Sequence, residues 1–373
     1  MSITTRAAVC RAAGEPWEVT DVEVDDPGPR EVRVRMVAAG LCHCDEHART
    51  GRSPALFPLV GGHEGTGVVE LVGPGVTRVR AGDPVILCAA PVCGSCRFCS
   101  TGRQNLCERG RETATGRPAD GSARFHAGGE DLGAVAALGT LAGHLVASEH
   151  SVVPLREPLP MAPAALLGCT VPTGWGTAVH AAGVAAGDTV VVYGAGGVGA
   201  STVIGARLAG ARHVVVVDPV PFKRERAAAV GATHTVATAA EAHAFVADTT
   251  WGRLAEHALL TVDDLDDAVL CAALDAVGKT GLVTVTARGD GAVRAPSGRI
   301  IGFQRRIHGA RFGGARPLID VPRLVSLHTA GRIDLDQLVT RRYPLDRIAD
   351  AHRDARDGTL VRGVVVHDQE AAA

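Results

Sequence analysis

In the run EVRVRMV, Val32, Val34 and Met36 alternate with polar Arg33 and Arg35, the two-residue period of a strand with one face toward a core. Short alternating runs of this kind, set among Gly- and Pro-rich turns, occupy residues 1 to about 155 and predict an antiparallel β domain. From about Ala181 the pattern changes to continuous apolar runs, TVVVYG, HVVVVD and GLVTVTA, separated by Ala-rich stretches of helical character. Strands buried on both faces and alternating with helices predict a parallel sheet covered on each side. After about Phe312 helical patterning returns in DVPRLVSLHTAG and PLDRIADAHRDARDG, and RGVVVH follows as an apolar strand. No internal repeat, low-complexity tract or long linker interrupts this order.

A chain of 373 residues is long for one core and suits two domains. Its net charge of −2 is spread without a long run of one sign, so neither nucleic acid nor a membrane surface is indicated as a partner. The stretch MSITTRAAVCRAAGEPW has no apolar targeting segment and no run of about 18 apolar residues follows. The expected location is the cytoplasm. There the ten cysteines are better explained as metal ligands or small buried residues than as disulfides.

The segment VVVYGAGGVGASTVIGARLAG sets Gly194, Gly196 and Gly199 in a G-x-G-x-x-G turn, with Gly197 and Val198 inside it, between an apolar strand and a helix. Glycines here let the backbone turn tightly and bring N–H groups against a pyrophosphate at the helix N-terminus. Asp218 ends the next strand, where a carboxylate accepts hydrogen bonds from the adenosine ribose and repels a 2′-phosphate. The expected cofactor is NAD rather than NADP. A structural turn and an ordinary strand-end acid explain these residues singly; their joint context favours a dinucleotide site.

Cys93, Cys96, Cys99 and Cys107 follow C-x2-C-x2-C-x7-C in the loop CGSCRFCSTGRQNLC. Four thiolates so close can enclose one Zn²⁺ tetrahedrally with no open position, which is a structural site. An iron–sulfur cluster is the competing reading, but nothing else in the chain points to electron transfer. Cys42 in LCHCDEH, His63 in GGHEGTGVVELVGPGV and Cys169 in LLGCTVPTGWG are dispersed candidates for a second zinc. Such a Cys₂His set leaves a fourth position for water or a substrate oxygen. Each alone reads as a buried thiol or a turn histidine, and only their company with the glycine turn makes them a candidate catalytic set.

With these motifs the chain resembles the zinc-dependent alcohol dehydrogenases of the medium-chain dehydrogenase/reductase superfamily. The family's zinc signature G-H-E-x2-G-x5-G-x2-V is met by Gly62, His63, Glu64, Gly67, Gly73 and Val76. The likeness runs end to end through the four-cysteine lobe, GAGGVG, FGGARPLIDVPRL and LVRGVVV. Within the family, DGSARFHAGGEDLGAVAALGT, VVDPVPFKRERAAAVGATH and RDGTLVRGVV most resemble actinobacterial nicotinoprotein alcohol dehydrogenases, which hold NAD tightly and are assayed with a nitrosoaniline acceptor.

The resemblance implies an α/β protein with two domains. One is a discontinuous, β-rich GroES-like catalytic domain from residues 1–170 and 312–373, with a structural zinc lobe at 93–107. The other is a doubly wound Rossmann NAD-binding domain over 171–311. Two zinc ions per chain, NAD(H), a small alcohol or aldehyde substrate and a homo-oligomer, dimer or tetramer, are implied with it. By position, Cys42 resembles a catalytic zinc ligand, His43 a residue touching the cofactor pyrophosphate, and Asp45 the carboxylate that hydrogen-bonds the ligating His63. His47 resembles the outer end of the family's proton relay, and Glu64 the acid behind the zinc. Thr173 is placed by the nicotinamide, Lys223 among the cofactor contacts and Arg362 near the pyrophosphate. Glu46 matches no catalytic position and reads as a solvated surface acid.

Two positions depart from the family pattern. Cys44 stands where the relay hydroxyl is expected; a thiol is a weak donor and acceptor, so the relay is slowed, rerouted through water or absent. Cys44 could also approach the zinc, although Cys42 already supplies the family ligand. Ala89 stands where relatives commonly place a large aromatic against the substrate, which enlarges the pocket. The implied function is hydride transfer between NAD(H) and a bulky or aromatic alcohol or aldehyde. Its rival, kept open by Cys44, is a family member that has lost dehydrogenase turnover and binds a ligand or serves a non-redox step.

Overall fold

The computed structural model describes residues 2–118, 120–287 and 291–367. The chain divides into two compact units, one of Met1–Cys169 with Arg316–Ala373 and one of Thr170–Ala315.

The first unit carries a closed barrel of Ile3–Cys10, Glu18–Val24, Phe125–Ala127, Glu130–Ala134 and Leu59–Val60. Beside it lies a sheet whose central strand is β1 (Glu31–Gly40), followed in the chain by helix α1 (His43–Arg49) and then by β2 (Gly65–Val72). The alternation read in EVRVRMV is present: Val32, Val34 and Met36 are buried while Arg33 and Arg35 are only partly so. Beyond Met36 the alternation stops, and every residue from Val37 to Gly40 is buried. The cause is a change of neighbour. The first half of β1 pairs with His144–Ser148, and its second half with Arg362–Val366. Val22, Val34, Met36, Phe125, Leu132 and Leu145 belong to the apolar cluster inside.

Two parallel pairs occur in this unit, and the second corrects the antiparallel reading of residues 1–155. Val339–Pro344 pairs in parallel with Arg362–Val366, and parallel neighbours require a crossover, here the helix Ile348–Arg356. Leu59–Val60 and Glu130–Ala134 form a second, short parallel pair.

The second unit is built on six parallel strands. β3 (Thr189–Tyr193) leads into helix α2 (Gly197–Leu208) and then β4 (His213–Val217). Across the sheet the order is His234–Val236, β4, β3, Ala255–Leu260, Val277–Val285 and Arg306–Gly309. Counted along the chain this is 3-2-1-4-5-6, the doubly wound Rossmann order. Val191, Tyr193, Val215, Leu260 and Val283 join the core between sheet and helices. The architecture is the α/β class read from the pattern and the resemblance. Among the described residues no helix is long and apolar enough to cross a membrane.

Phe125 is 1% exposed within the barrel cluster, so Phe125→Ala should cost ~3–5 kcal/mol. A urea midpoint that falls with an unchanged slope would report that loss. A change under ~1 kcal/mol would show that the barrel core closes over the void.

Candidate functional site

Leaving β1, the chain reaches Cys42, the residue that caps α1 from outside the helix with extended backbone (φ −131, ψ 148). Asp45 in the first turn is fully buried, and its carboxylate gathers three N–H donors. Oδ1 accepts from the Gly62 backbone at 3.1 Å and lies 2.9 Å from His63 Nδ1; Oδ2 accepts from the Cys42 backbone at 3.3 Å. Gly62 makes its contact from φ +92, and a Cβ there would stand 2.4 Å from Thr140 Oγ1 and 2.5 Å from the Leu141 backbone nitrogen. Only glycine fits both the torsion and the space.

With Nδ1 committed to Asp45, the imidazole of His63 is held by one edge. Its Nε2 is buried with no hydrogen-bond partner of ordinary geometry, although the thiols of Cys42 and Cys169 both act on the ring. Cys42 Sγ, Cys44 Sγ and a donor atom of His63 lie within 4.8 Å of one another. Burial acts to lower the His63 pKa, but Asp45 and Cys42 outweigh it and hold it well above the usual value. The Cys42 thiol is held well below the usual thiol range, first by a hydrogen bond from Cys44 and, against burial, by Arg362 and His63. A buried orphan nitrogen facing thiols, one of them biased toward thiolate, suits a thiophilic cation such as zinc.

Glu64 is fully buried and meets Arg362 Nη2 at 3.2 Å. The same guanidinium donates to the Leu41 carbonyl and hydrogen-bonds Cys42. In the first unit Arg362 is therefore part of the metal-site wall. His47 is buried, whereas His43 is partly buried at the start of α1. Ala89 is partly buried and donates its N–H to the Gly168 carbonyl at 3.2 Å, one residue before Cys169. Glu46 corrects an expectation: its side chain is only 14% exposed and pairs with Arg49 at 2.6 Å and Arg356 at 3.5 Å. Arg49 also donates to the carbonyls of Gly14 and Glu15, so Glu46 anchors α1 instead of merely facing water.

The four-cysteine loop forms a second cluster. All four sulfurs lie within 4.8 Å of one another, with Cys93–Cys99 at 3.9 Å and Cys96–Cys107 at 4.0 Å. These spacings are far beyond a disulfide and close to the ~3.8 Å edge of a tetrahedron of sulfurs ~2.3 Å from one zinc. Backbone N–H groups of Cys93 and Cys96 donate to Cys107 and Cys93 sulfurs, each at 3.3 Å. Burial opposes ionisation of Cys93, but the Ser95 and Cys96 amides prevail and lower it to about 6. Burial, with Cys96 and Cys107 adding to it, pushes Cys99 up to about 12. Four thiolates cannot share this volume without a cation, and the loop fits one.

In the second unit the glycine turn joins β3 to α2. A Cβ on Gly199 would lie 1.9 Å from the Gly194 carbonyl oxygen, so the helix cannot start this close to the strand with any other residue. At Gly196 a Cβ would meet nothing within 4 Å. Its smallness serves no protein contact and leaves a cradle open. Gly197 opens the helix and is buried; Val198 is partly buried. Asp218 follows β4 and is buried, with Oδ2 accepting from Ala195 N at 2.8 Å and Oδ1 from Val220 N at 2.9 Å. Each oxygen keeps lone-pair capacity for a ribose hydroxyl. Lys223 lies partly buried in the first turn of Pro221–Ala229. Thr173 Oγ1 is buried without a partner. The open cradle and this orphaned hydroxyl fit a dinucleotide.

Sequence reasoning did not single out Thr140, whose hydroxyl donates to the Glu64 carbonyl at 3.1 Å, or Leu41, whose carbonyl receives Arg362. Backbone acceptors and their partners leave no mark in residue type.

Comparison with known proteins agrees with this geometry. The family model described as alcohol dehydrogenase GroES-like domain matches residues 28–157, and the one described as zinc-binding dehydrogenase matches 197–327. A putative alcohol dehydrogenase D of Mycobacterium tuberculosis is 49% identical over 97% of this chain and 100% of its own. An NDMA-dependent alcohol dehydrogenase of Amycolatopsis methanolica is 47% identical over 98% and 100%. The crystal structure of benzyl alcohol dehydrogenase from Acinetobacter calcoaceticus is 28% identical with a TM-score of 0.90, covering 98% of this chain and 99% of that one. With matched segments in both units and near-complete coverage at such identity, the chain belongs to the zinc-dependent alcohol dehydrogenases of the medium-chain dehydrogenase/reductase family.

Proposed function

We propose that the protein oxidises an alcohol, or reduces the corresponding aldehyde, with Cys42, His63 and Cys169 holding a zinc ion and the turn Gly194–Gly199 with Asp218 holding NAD(H). The observation that carries this reading is His63: one ring nitrogen is locked by a buried carboxylate and the other is left without a partner among thiols. Zinc, when bound, supplies the Lewis acidity that lowers the pKa of an alcohol hydroxyl, and NAD supplies the hydride acceptor.

The chain's own residues prepare that chemistry. Asp45 holds the Nδ1 edge of His63, so that a metal displacing the proton of Nε2 would find that nitrogen among the thiols. Glu64 and Arg362 offset each other's charge in a buried wall, and Arg362 favours the thiolate of Cys42. His43, Thr173, Lys223 and Arg362 complete the proposed cofactor contacts, and His47 ends the proposed proton path. A second zinc, in the lobe of Cys93, Cys96, Cys99 and Cys107, has a structural role because four protein sulfurs leave no open position. The small side chain of Ala89 favours bulky or aromatic substrates, a preference in keeping with the benzyl alcohol dehydrogenase among the structural relatives. The NDMA-dependent relative supports a nicotinoprotein form in which NAD stays bound. A homo-oligomer, dimer or tetramer, is the assembly proposed with it.

Protein prepared without chelator should contain two zinc equivalents per chain by elemental analysis; one equivalent, or an iron–sulfur spectrum, would refute the assignment. Asp45→Asn should weaken one zinc by ~10–100-fold in chelator competition and leave the lobe's zinc in place.

Denatured protein should release NAD or NADH, and NADPH should be turned over poorly because Asp218 opposes a 2′-phosphate. Recovery of NADP from the purified chain would contradict this.

Ala89→Phe should move the ratio of kcat/KM values toward short alcohols by roughly 10–100-fold, the range that pocket volume alone achieves. An unchanged ratio between ethanol and benzyl alcohol would remove Ala89 from the substrate wall.

A further inference from the structure

Besides standing in place of a relay hydroxyl, Cys44 has its sulfur inside the candidate metal site. Its Sγ belongs to the same set, within 4.8 Å, as Cys42 Sγ and the His63 donor. Donors ~2.1–2.3 Å from one zinc stand roughly 3.4–3.8 Å apart, close to the spacing of Cys42, Cys44 and His63; Cys169 is outside that set and reaches the site through the His63 ring. Two residues apart on a helix, Cys42 and Cys44 would point to different faces. They converge because Cys42 lies outside α1 in extended conformation, which frees its side chain from the helical step.

We propose that Cys44 is a fourth protein ligand of the zinc held by Cys42, His63 and Cys169, so that the resting centre is a closed Cys₃His site. The proposal rests on the zinc assignment made above. The new bond is dative: a lone pair of Cys44 Sγ goes to the metal, the thiol proton goes to solvent, and nothing is oxidised or reduced. A centre with four protein ligands has no vacant position, so an incoming oxygen or nitrogen donor competes with Cys44 for its place. Cys44 is thereby a specificity element, set between the metal and every small donor that approaches it.

Zinc K-edge X-ray absorption on the unmodified protein, Cys44→Ser and Cys44→Ala, each brought to two zinc equivalents, tests this directly. Both variants should show one sulfur fewer per chain and should lose one zinc to a chelator at least ~10-fold faster, the lower end of what loss of even an outer-sphere partner costs. Equal sulfur numbers in all three proteins would overturn the proposal while leaving the zinc assignment standing. If the unmodified protein binds only one zinc, the assignment itself fails. A measurement on the unmodified protein guards against variants that do not fold: adding imidazole should exchange one sulfur neighbour for nitrogen. Nitrogen gained with no sulfur lost would overturn the role of Cys44.

Discussion

A single buried carboxylate organises the metal-binding region. Asp45 is withdrawn from water, which for an ionised acid is costly unless hydrogen bonds replace its hydration. Its replacements come from three places: the backbone at Cys42, the backbone at Gly62 and the ring of His63. Because these donors belong to two of the three chain segments that carry ligand side chains, satisfying Asp45 and aligning Cys42 with His63 are one event. The positive φ of Gly62, the orientation of the His63 ring and the entry of α1 all follow from where that carboxylate sits.

A second buried pair completes the arrangement from behind. Glu64 follows His63 directly and faces Arg362, whose guanidinium also reaches the carbonyl of Leu41. The wall thus has an acid beside one ligand and a base beside another, and the thiolate of Cys42 is favoured by the base. Removing either partner alone would leave a charge without water or counter-ion, a larger penalty than the pair is worth when intact.

What the sequence disclosed was what is local. The glycine turn is a strand, a turn and a helix in one contiguous segment, and the four-cysteine loop is equally contiguous, so spacing alone makes both legible. The alternation in β1 was legible as far as Met36, where the neighbouring strand is exchanged for one from the far end of the chain. The strand Val339–Pro344, parallel to Arg362–Val366, was hidden in a stretch whose pattern reads as helical up to the apolar RGVVVH. The set of Cys42, His63 and Cys169 became a candidate only through its company with the glycine turn, and the resemblance then gave it a role, since no periodicity links residues so far apart. Glu46 was misread because one of its cations, Arg356, lies on a distant helix. The approach of Cys44 to the metal site stood second to Cys42 in the sequence, because helical spacing opposes it, and the extended cap torsions of Cys42 are what permit it.

The strand Arg362–Val366 beside β1 and the contact of Arg362 with Leu41 set an order of events during synthesis. A ribosome delivers β1 and the Cys42 segment first, but the partner that covers the second half of that strand follows only after the whole glycine-turn unit, Arg362 lying 321 residues beyond Leu41. The glycine-turn unit, made from one uninterrupted segment, is available to fold before it. The unit that contains β1 is therefore completed after the glycine-turn unit inserted in it, with the long loop closure that makes such pairings slow. Until then Cys42, Cys44 and His63 lack their finished wall, and the nascent thiols are open to whatever soft metal ion or oxidant the surroundings contain.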